Sequence, residues 1–208
     1  MARTYIFKRF ERFWHWAQAA LVIFMLVSGF EIHGTYRLLG WQRAASLHTI
    51  AAWTLIGLWV FAIFWHFTTG EWKQYIPTTS NIGAVIRYYS VGIFTGERHP
   101  FRVTQLTKHN PLQRLAYLVV KLVINPLVWV SGLLYLYYNQ LGPSGIKALS
   151  GMPLGSIAFV HTAAAFLMLT FVVVHVYFAT TGHTPLAHIK AMITGWEDLD
   201  DSPSPAGR

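Results

Sequence analysis

The chain has 208 residues, of which 54 % are hydrophobic and only 12 % charged, a balance too apolar for a soluble domain of this length. It contains no cysteine, which excludes disulfides, cysteine-held iron–sulfur clusters and c-type haem attachment within the chain. The formal net charge of +8 does not point to nucleic acid, because the basic residues gather in particular connections between apolar runs.

Four runs, at residues 13–32, 47–67, 115–138 and 156–179, approach or exceed the roughly 20 residues that span a bilayer as helix. They predict an all-α fold, a polytopic four-helix membrane bundle in one domain over residues 1–196. Ahead of the first run stand Arg3, Lys8, Arg9 and Arg12. The run is too long for a signal-peptide core and no small-x-small cleavage pattern follows, so an uncleaved first helix is expected. Its opening stretch "ERFWHW" sets His15 between Trp14 and Trp16, two residues suited to the aromatic belt of a membrane surface.

The first connection holds only Arg37 and Arg43. The second, 68–110, is long, and it and the start of the third run carry Lys73, Arg87, Arg98, Arg102, Lys108 and Arg114. Within it "NIGAVIRYYSVGIF" is read as a helix lying in the interface. The third connection, "NQLGPSGIKALSGMPLG", is turn-rich and holds Lys147. Basic residues favour the cytoplasmic side. The expected location is therefore a bacterial-type cytoplasmic membrane, with both termini and the second connection inside. Residues 197–208 form an acidic, then Pro/Ser-rich tail, expected to be flexible. The tripeptide Val-Ser-Gly occurs at residues 27–29 and again at 130–132, a weak sign of duplication.

His161 and His175 lie 14 residues apart in the fourth run. That is nearly four helical turns, so both rings share one face, separated by about 21 Å along the axis. Imidazoles within a membrane are costly and need a partner. Interhelical hydrogen bonds are one explanation, and two haem irons stacked across the bilayer are the sharper one. His48 opens the second run near the outer side and is the natural partner of His161. For His175 two partners remain open on spacing: His15, and His66, which lies 18 residues or five turns beyond His48. Gly29 shares the face of His15 at the outer depth, and Ala163, Ala164 and Ala165 follow His161, as flat ligands or close helix packing would require.

Before the third run, "KHNPLQR" gathers Lys108, His109, Asn110, Gln113 and Arg114. Asn110 is an expected N-cap with Pro111 in the first turn, and Lys108 and Arg114 suit interfacial anchoring. Asn110 and Gln113, with His175, also form a candidate quinone-headgroup site, since two carbonyls need hydrogen-bond partners near an electron donor. Lys121 is expected to extend back toward the inner surface.

The blocks "RFWHW", "SLHTIAAW", "KHNPLQR", "HTAAAFLMLTFVVVHVYFA" and "IKAMITGWED" resemble the cytochrome b (gamma) subunits of membrane-bound formate dehydrogenases, nickel–iron hydrogenases and thiosulfate reductases. The resemblance runs from about residue 7 to 197. It implies two haem b groups: an outer one held by His48 and His161, and an inner one held by His15 and His175. The motif Arg-x-x-His-Trp, matched by Arg12 to Trp16, favours His15 over His66 and brings Arg12 near a propionate. Quinone at Asn110, Gln113 and His175 is likewise implied. Pro111 and Leu112 depart from the expected pattern, and "TTGHTPLAH" adds His183 and His188, so the partner enzyme need not be a formate dehydrogenase.

The expected function is a dihaem cytochrome b. It relays electrons between an iron–sulfur or multihaem subunit on the outer face and the quinone pool, and has no substrate chemistry of its own beyond the quinone half-reaction. The alternatives are a self-contained quinol-dependent reductase of a small external acceptor, and a proton-coupled transporter. The second alternative lacks the broken mid-membrane helices such transporters use, since only Asn125 and Pro126 interrupt a run.

Overall fold

The computed structural model describes residues 2–78, 80–97, 100–101, 108–141, 152–182 and 184–199. Outside them lie Arg98, His99 and Arg102 of the second connection, Lys147 with most of the third connection, His183, and the tail from residue 200. The chain forms two compact units. The first comprises the described residues of Met1–Ile76, Arg102–Lys108 and Ala179–Arg208, and the second those of Pro77–Phe101 and His109–Phe178.

In the first unit, β1 (Ala2–Tyr5) precedes α1 (Arg9–Ile32) and α2 (Trp41–Thr69). Both helices begin earlier than the apolar runs alone suggest. Glu11 accepts the backbone N–H of Lys8 at 2.7 Å, which satisfies one of the donors exposed at a helix start and carries α1 back into its charged stretch. At the other end, one oxygen of Glu31 accepts the backbone N–H groups of Leu38, Leu39 and Gly40 at 2.8, 2.6 and 2.7 Å. That carboxylate closes the first connection just ahead of α2, whose N-cap is Gly40 at φ 84°.

Helices α1 and α2 run antiparallel. The pairs Ser28–His48, Gln18–Trp59 and Phe10–Trp65 step down the two helices in opposite directions. Trp59 donates to Gln18 Oε1 at 2.8 Å, so each buries its polar atom against the other.

The end of the first unit is held by charge. Lys108 Nζ lies 2.7 Å from Glu11 Oε1 and 3.1 Å from Glu71 Oε2, and Lys8 Nζ lies 2.6 Å from Glu71 Oε1. Two ammonium groups thus meet two carboxylates. Lys108 was expected at the interface as an anchor, but its side chain is only 4 % exposed. Its partners lie 97 and 37 residues away in the chain, which is why it read as an isolated surface cation.

After α2, the chain returns to this unit through α6 (Ala187–Thr194) and β2 (Trp196–Leu199). β2 pairs antiparallel with β1, Tyr5 opposite Trp196 and Ala2 opposite Leu199. Residues 197–199, expected in a flexible tail of an all-α chain, are therefore in a strand. Gly195 makes the turn between α6 and β2 at φ 88°, and a Cβ there would come within 2.6 Å of the Tyr5 ring. Its carbonyl accepts the N–H groups of Ile6 and Phe7 at 2.8 and 3.2 Å. Trp16 donates to Met192 O at 3.1 Å, and Arg12 donates to Ile193 O, so α1 is also tied to the carbonyl end of α6.

The second unit contains α3 (Ile82–Thr95), α4 (Pro111–Leu136) and α5 (Leu154–Ala179). Pro126 has no N–H to donate. The helix answers with a π segment at Val120–Ile124, where the N–H of Asn125 reaches back five residues to Val120 O. A second π segment, Tyr88–Gly92, lies in α3.

Helices α1, α2, α4 and α5 are each long and apolar enough to cross a membrane. Their outward side chains are large and uncovered, as at Phe159 (73 % exposed), Phe67 (66 %) and Leu122 (66 %). Apolar surface on this scale is stable against lipid rather than water.

The ion network makes a prediction with a defined sign. Burial opposes ionisation of Glu71, but hydrogen bonds from Lys8 and Lys108 and their charge hold its carboxyl below the ordinary value of 4.5. Its pairing therefore stabilises the fold above about pH 4.5 and is lost as pH falls through the lower folded value. Thermal unfolding in detergent should show an acid limb that flattens in Glu71→Gln. Lys108→Met leaves two carboxylates buried without their shared cation, and should destabilise by about 3–5 kcal/mol, read by denaturant or SDS titration.

Candidate functional site

His48 lies in the second turn of α2, with α1 beside it. Ser28 Oγ on α1 stands 2.9 Å from His48 Nδ1. The serine hydroxyl also reaches Phe24 O, four residues back, at 2.9 Å. A carbonyl only accepts, so the hydroxyl proton goes to Phe24 and a lone pair of Oγ faces the imidazole. With the hydroxyl proton on Phe24 O, His48 Nδ1 is the donor of this pair and the lone pair of the imidazole lies at Nε2, the form that ligates a metal. Ser28 is buried, at 2 % exposure, and His48 is half-buried.

The second unit repeats the arrangement with different helices. Ser131 on α4 stands 3.1 Å from His161 Nδ1 on α5, and Val128 O lies at the same 3.1 Å. Ser131 donates its own proton back to Leu127 O. The carbonyl of Val128 again requires the proton on Nδ1, so Nε2 of His161 is also the lone-pair nitrogen. The glycines that follow the two serines face the same rings. A Cβ at Gly29 would sit 3.7 Å from His48 Cε1, and one at Gly132 only 3.0 Å from His161 Cε1.

His66, the rival to His15, is placed differently. It is buried, its Nδ1 lies 2.6 Å from Ala62 O, and Tyr75 Oη lies 3.4 Å from its Nε2. Trp14, Trp65 and Tyr75 pack their rings around it at 5.2, 5.1 and 5.5 Å. With Nδ1 donating to a carbonyl and Nε2 facing a hydroxyl, both nitrogens are engaged by protein and the ring is a core element of the α1–α2 pair. His15 is half-buried on α1, its ring edge-on to Trp16 at 5.1 Å. His175 is half-buried on α5 and stacks on Phe171 at 5.6 Å and 22°.

The structure brings Asn110 and Gln113 together as reciprocal caps. Asn110 Oδ1 accepts the N–H of Gln113 at 2.8 Å, and Gln113 Oε1 accepts the N–H of Asn110 at 3.0 Å. The predicted N-cap, with Pro111 in the first turn of α4, is as expected. The Asn110 amide donates onward to Tyr89 Oη at 3.3 Å, and the Tyr89 ring packs on Phe178 at 4.7 Å. Phe178 is one turn beyond His175 on α5, so a short series of contacts joins the cap to that turn. His109 packs edge-on to Tyr117 at 4.9 Å. Arg12, expected near a propionate, has its guanidinium at the carbonyl end of α6. His188 meets Glu197 at 3.1 Å.

Sequence reasoning missed Tyr89, Ser28 and Ser131 as site residues. Tyr89 carries no local signal. The serines had one: the repeated Val-Ser-Gly tripeptide, whose two copies lie beside His48 and His161.

A model of the prokaryotic cytochrome b561 family matches residues 6–195. The protein named as cytochrome YdhU of Escherichia coli (strain K12) is 30 % identical over 203 residues, covering 93 % of this chain and 74 % of that protein. No solved structure matches the chain. The b-haem expectation suits the donor set, which offers imidazoles held at Nδ1 by serines on helices long enough to cross a membrane. The chain belongs to the prokaryotic cytochrome b561 family and is a membrane cytochrome b, a haem b protein of electron transfer.

Proposed function

We propose that this cytochrome relays electrons between a redox subunit on the outer face of the cytoplasmic membrane and the quinone pool. Two b haems would be held by this chain, one by His48 and His161 toward the outer side, the other by His15 and His175 toward the inner side. Both termini would lie in the cytoplasm, following the basic N-terminal arm and second connection. Haem b, when bound, supplies a one-electron couple.

The observation that carries this reading is the shared setting of two histidines: His48 and His161 each place Nδ1 against a serine of the preceding helix. His66 instead sets Nδ1 against Ala62 O and Nε2 against Tyr75 Oη, which favours His15 as the partner of His175. The 14-residue interval between His161 and His175 suits one ligand at each depth.

Quinol oxidation to quinone releases two electrons and two protons, so its site must exchange protons as well as electrons. Asn110 and Gln113 would hydrogen-bond the headgroup near His175. The contacts from Asn110 through Tyr89 to Phe178 support a site at this end of α5. Its outer-face partner, of iron–sulfur or multihaem type, would exchange electrons on the His48 and His161 side.

Purified protein should carry about two low-spin b haems per chain, the number its four ligands can serve by pyridine haemochrome assay. His161→Ala and His15→Ala should each halve that content, while His66→Ala should keep it and lower thermal stability. A His66 variant that loses a haem while the His15 variant keeps both would reverse the inner assignment. For quinone, Gln113→Glu keeps an oxygen for the Asn110 N–H and so preserves the cap, but removes the amide donor. Stopped-flow reduction by a quinol analogue should slow at least tenfold, about 1.4 kcal/mol, with the haem spectrum unchanged.

A further inference from the structure

The two Val-Ser-Gly copies are not explained by haem ligation alone. Each lies on the helix preceding the one that carries its histidine: α1 before α2, and α4 before α5. In each, the serine hydroxyl is pinned by its own helix, to Phe24 O in one case and Leu127 O in the other, so it cannot turn away from the ring. In each, the serine is nearly inaccessible, at 2 % and 5 % exposure. In each, the next residue is a glycine whose missing side chain leaves the ring its place.

We propose that Ser28 and Ser131 are matched positioning residues that set the tautomer, the ring plane and the donor strength of His48 and His161. They thereby lower the reduction potential of the haem those two histidines hold. This rests on the assignment of His48 and His161 as the ligands of one haem. A hydrogen bond from the non-ligating N–H of a metal-bound imidazole increases the electron density at the ligating nitrogen. A stronger donor favours the higher oxidation state of the iron. Where such a bond is dry, its effect is not diluted by water. Val128 O assists Ser131, since it also lies 3.1 Å from His161 Nδ1.

The test uses the full-length protein with Ser28→Ala, Ser131→Ala and the double substitution, followed by potentiometric titration of the haem absorbance. Haem content should stay at about two per chain, as serine-to-alanine leaves the ligands in place. One titrating component should move to a more positive potential in each single variant and further in the double variant, while the other component stays. Low-spin ferric electron paramagnetic resonance should show the g-values of the same component shifting, because the ring planes lose their anchor. Ser28→Thr, which keeps a hydroxyl that bonds back to the preceding turn, should restore the original potential and g-values.

If the double variant keeps both haems with unchanged potentials and g-values, the serines do not act on the ligands and the proposal is wrong. If an alanine variant loses one haem, recovery with threonine supports the proposal and equal loss with threonine overturns it. Failure of the underlying assignment reads out separately: His48→Ala and His161→Ala would then retain full haem content. In that case the serine proposal falls with the ligands.

Discussion

An imidazole inside a membrane-spanning helix must place its N–H on an acceptor before its other nitrogen can serve as a ligand. Lipid offers no such acceptor, so the protein has to supply it from a neighbouring helix. Helix backbone carbonyls are mostly engaged within their own ladders. A serine whose proton returns to its own helix leaves a lone pair that points outward and makes no demand for a further donor. Ser28 and Ser131 do this for His48 and His161 in two separate units of the chain. Much of the rest can be read from this constraint. The glycine beside each serine leaves the ring its place, and the close approach of α1 to α2 brings Ser28 within reach of His48 Nδ1.

Histidines are not equivalent under this rule. His66 has its proton on the Ala62 carbonyl and its second nitrogen against Tyr75, so it is a packing residue with a satisfied polar edge. A histidine within a transmembrane run therefore says little until both of its nitrogens are accounted for. The same accounting explains why α1 extends into charged sequence. Glu11 has the Lys8 N–H to accept and the Lys108 ammonium to neutralise, and both hold it at the start of the helix. The carbonyl end of α6 then takes up the polar edges of Trp16 and Arg12.

The four spans were legible because nothing but lipid explains apolar runs of this length in a 208-residue chain. Their starts were less so. Residues 9–12 and 41–46 contain arginine, glutamate, glutamine and serine, and hydropathy alone puts them outside the helices. The cap at Asn110 and Pro111 was legible because its chemistry is local. Lys108, three residues earlier than Pro111, was not, since its carboxylate partners come from two distant segments. The β1–β2 pair was missed for the same reason, its strands standing at opposite ends of the described chain.

By itself the sequence determined a helical membrane protein of the cytochrome b kind, and it displayed the histidines from which haem ligands are chosen. Length, hydropathy and the periodicity of a helix are properties of consecutive residues, so they survive without a structure. Only the tertiary structure decided what the nitrogens of each histidine meet. Those partners lie 20 and 30 positions away, Ser28 for His48 and Ser131 for His161, and distance along the chain carries no record of them.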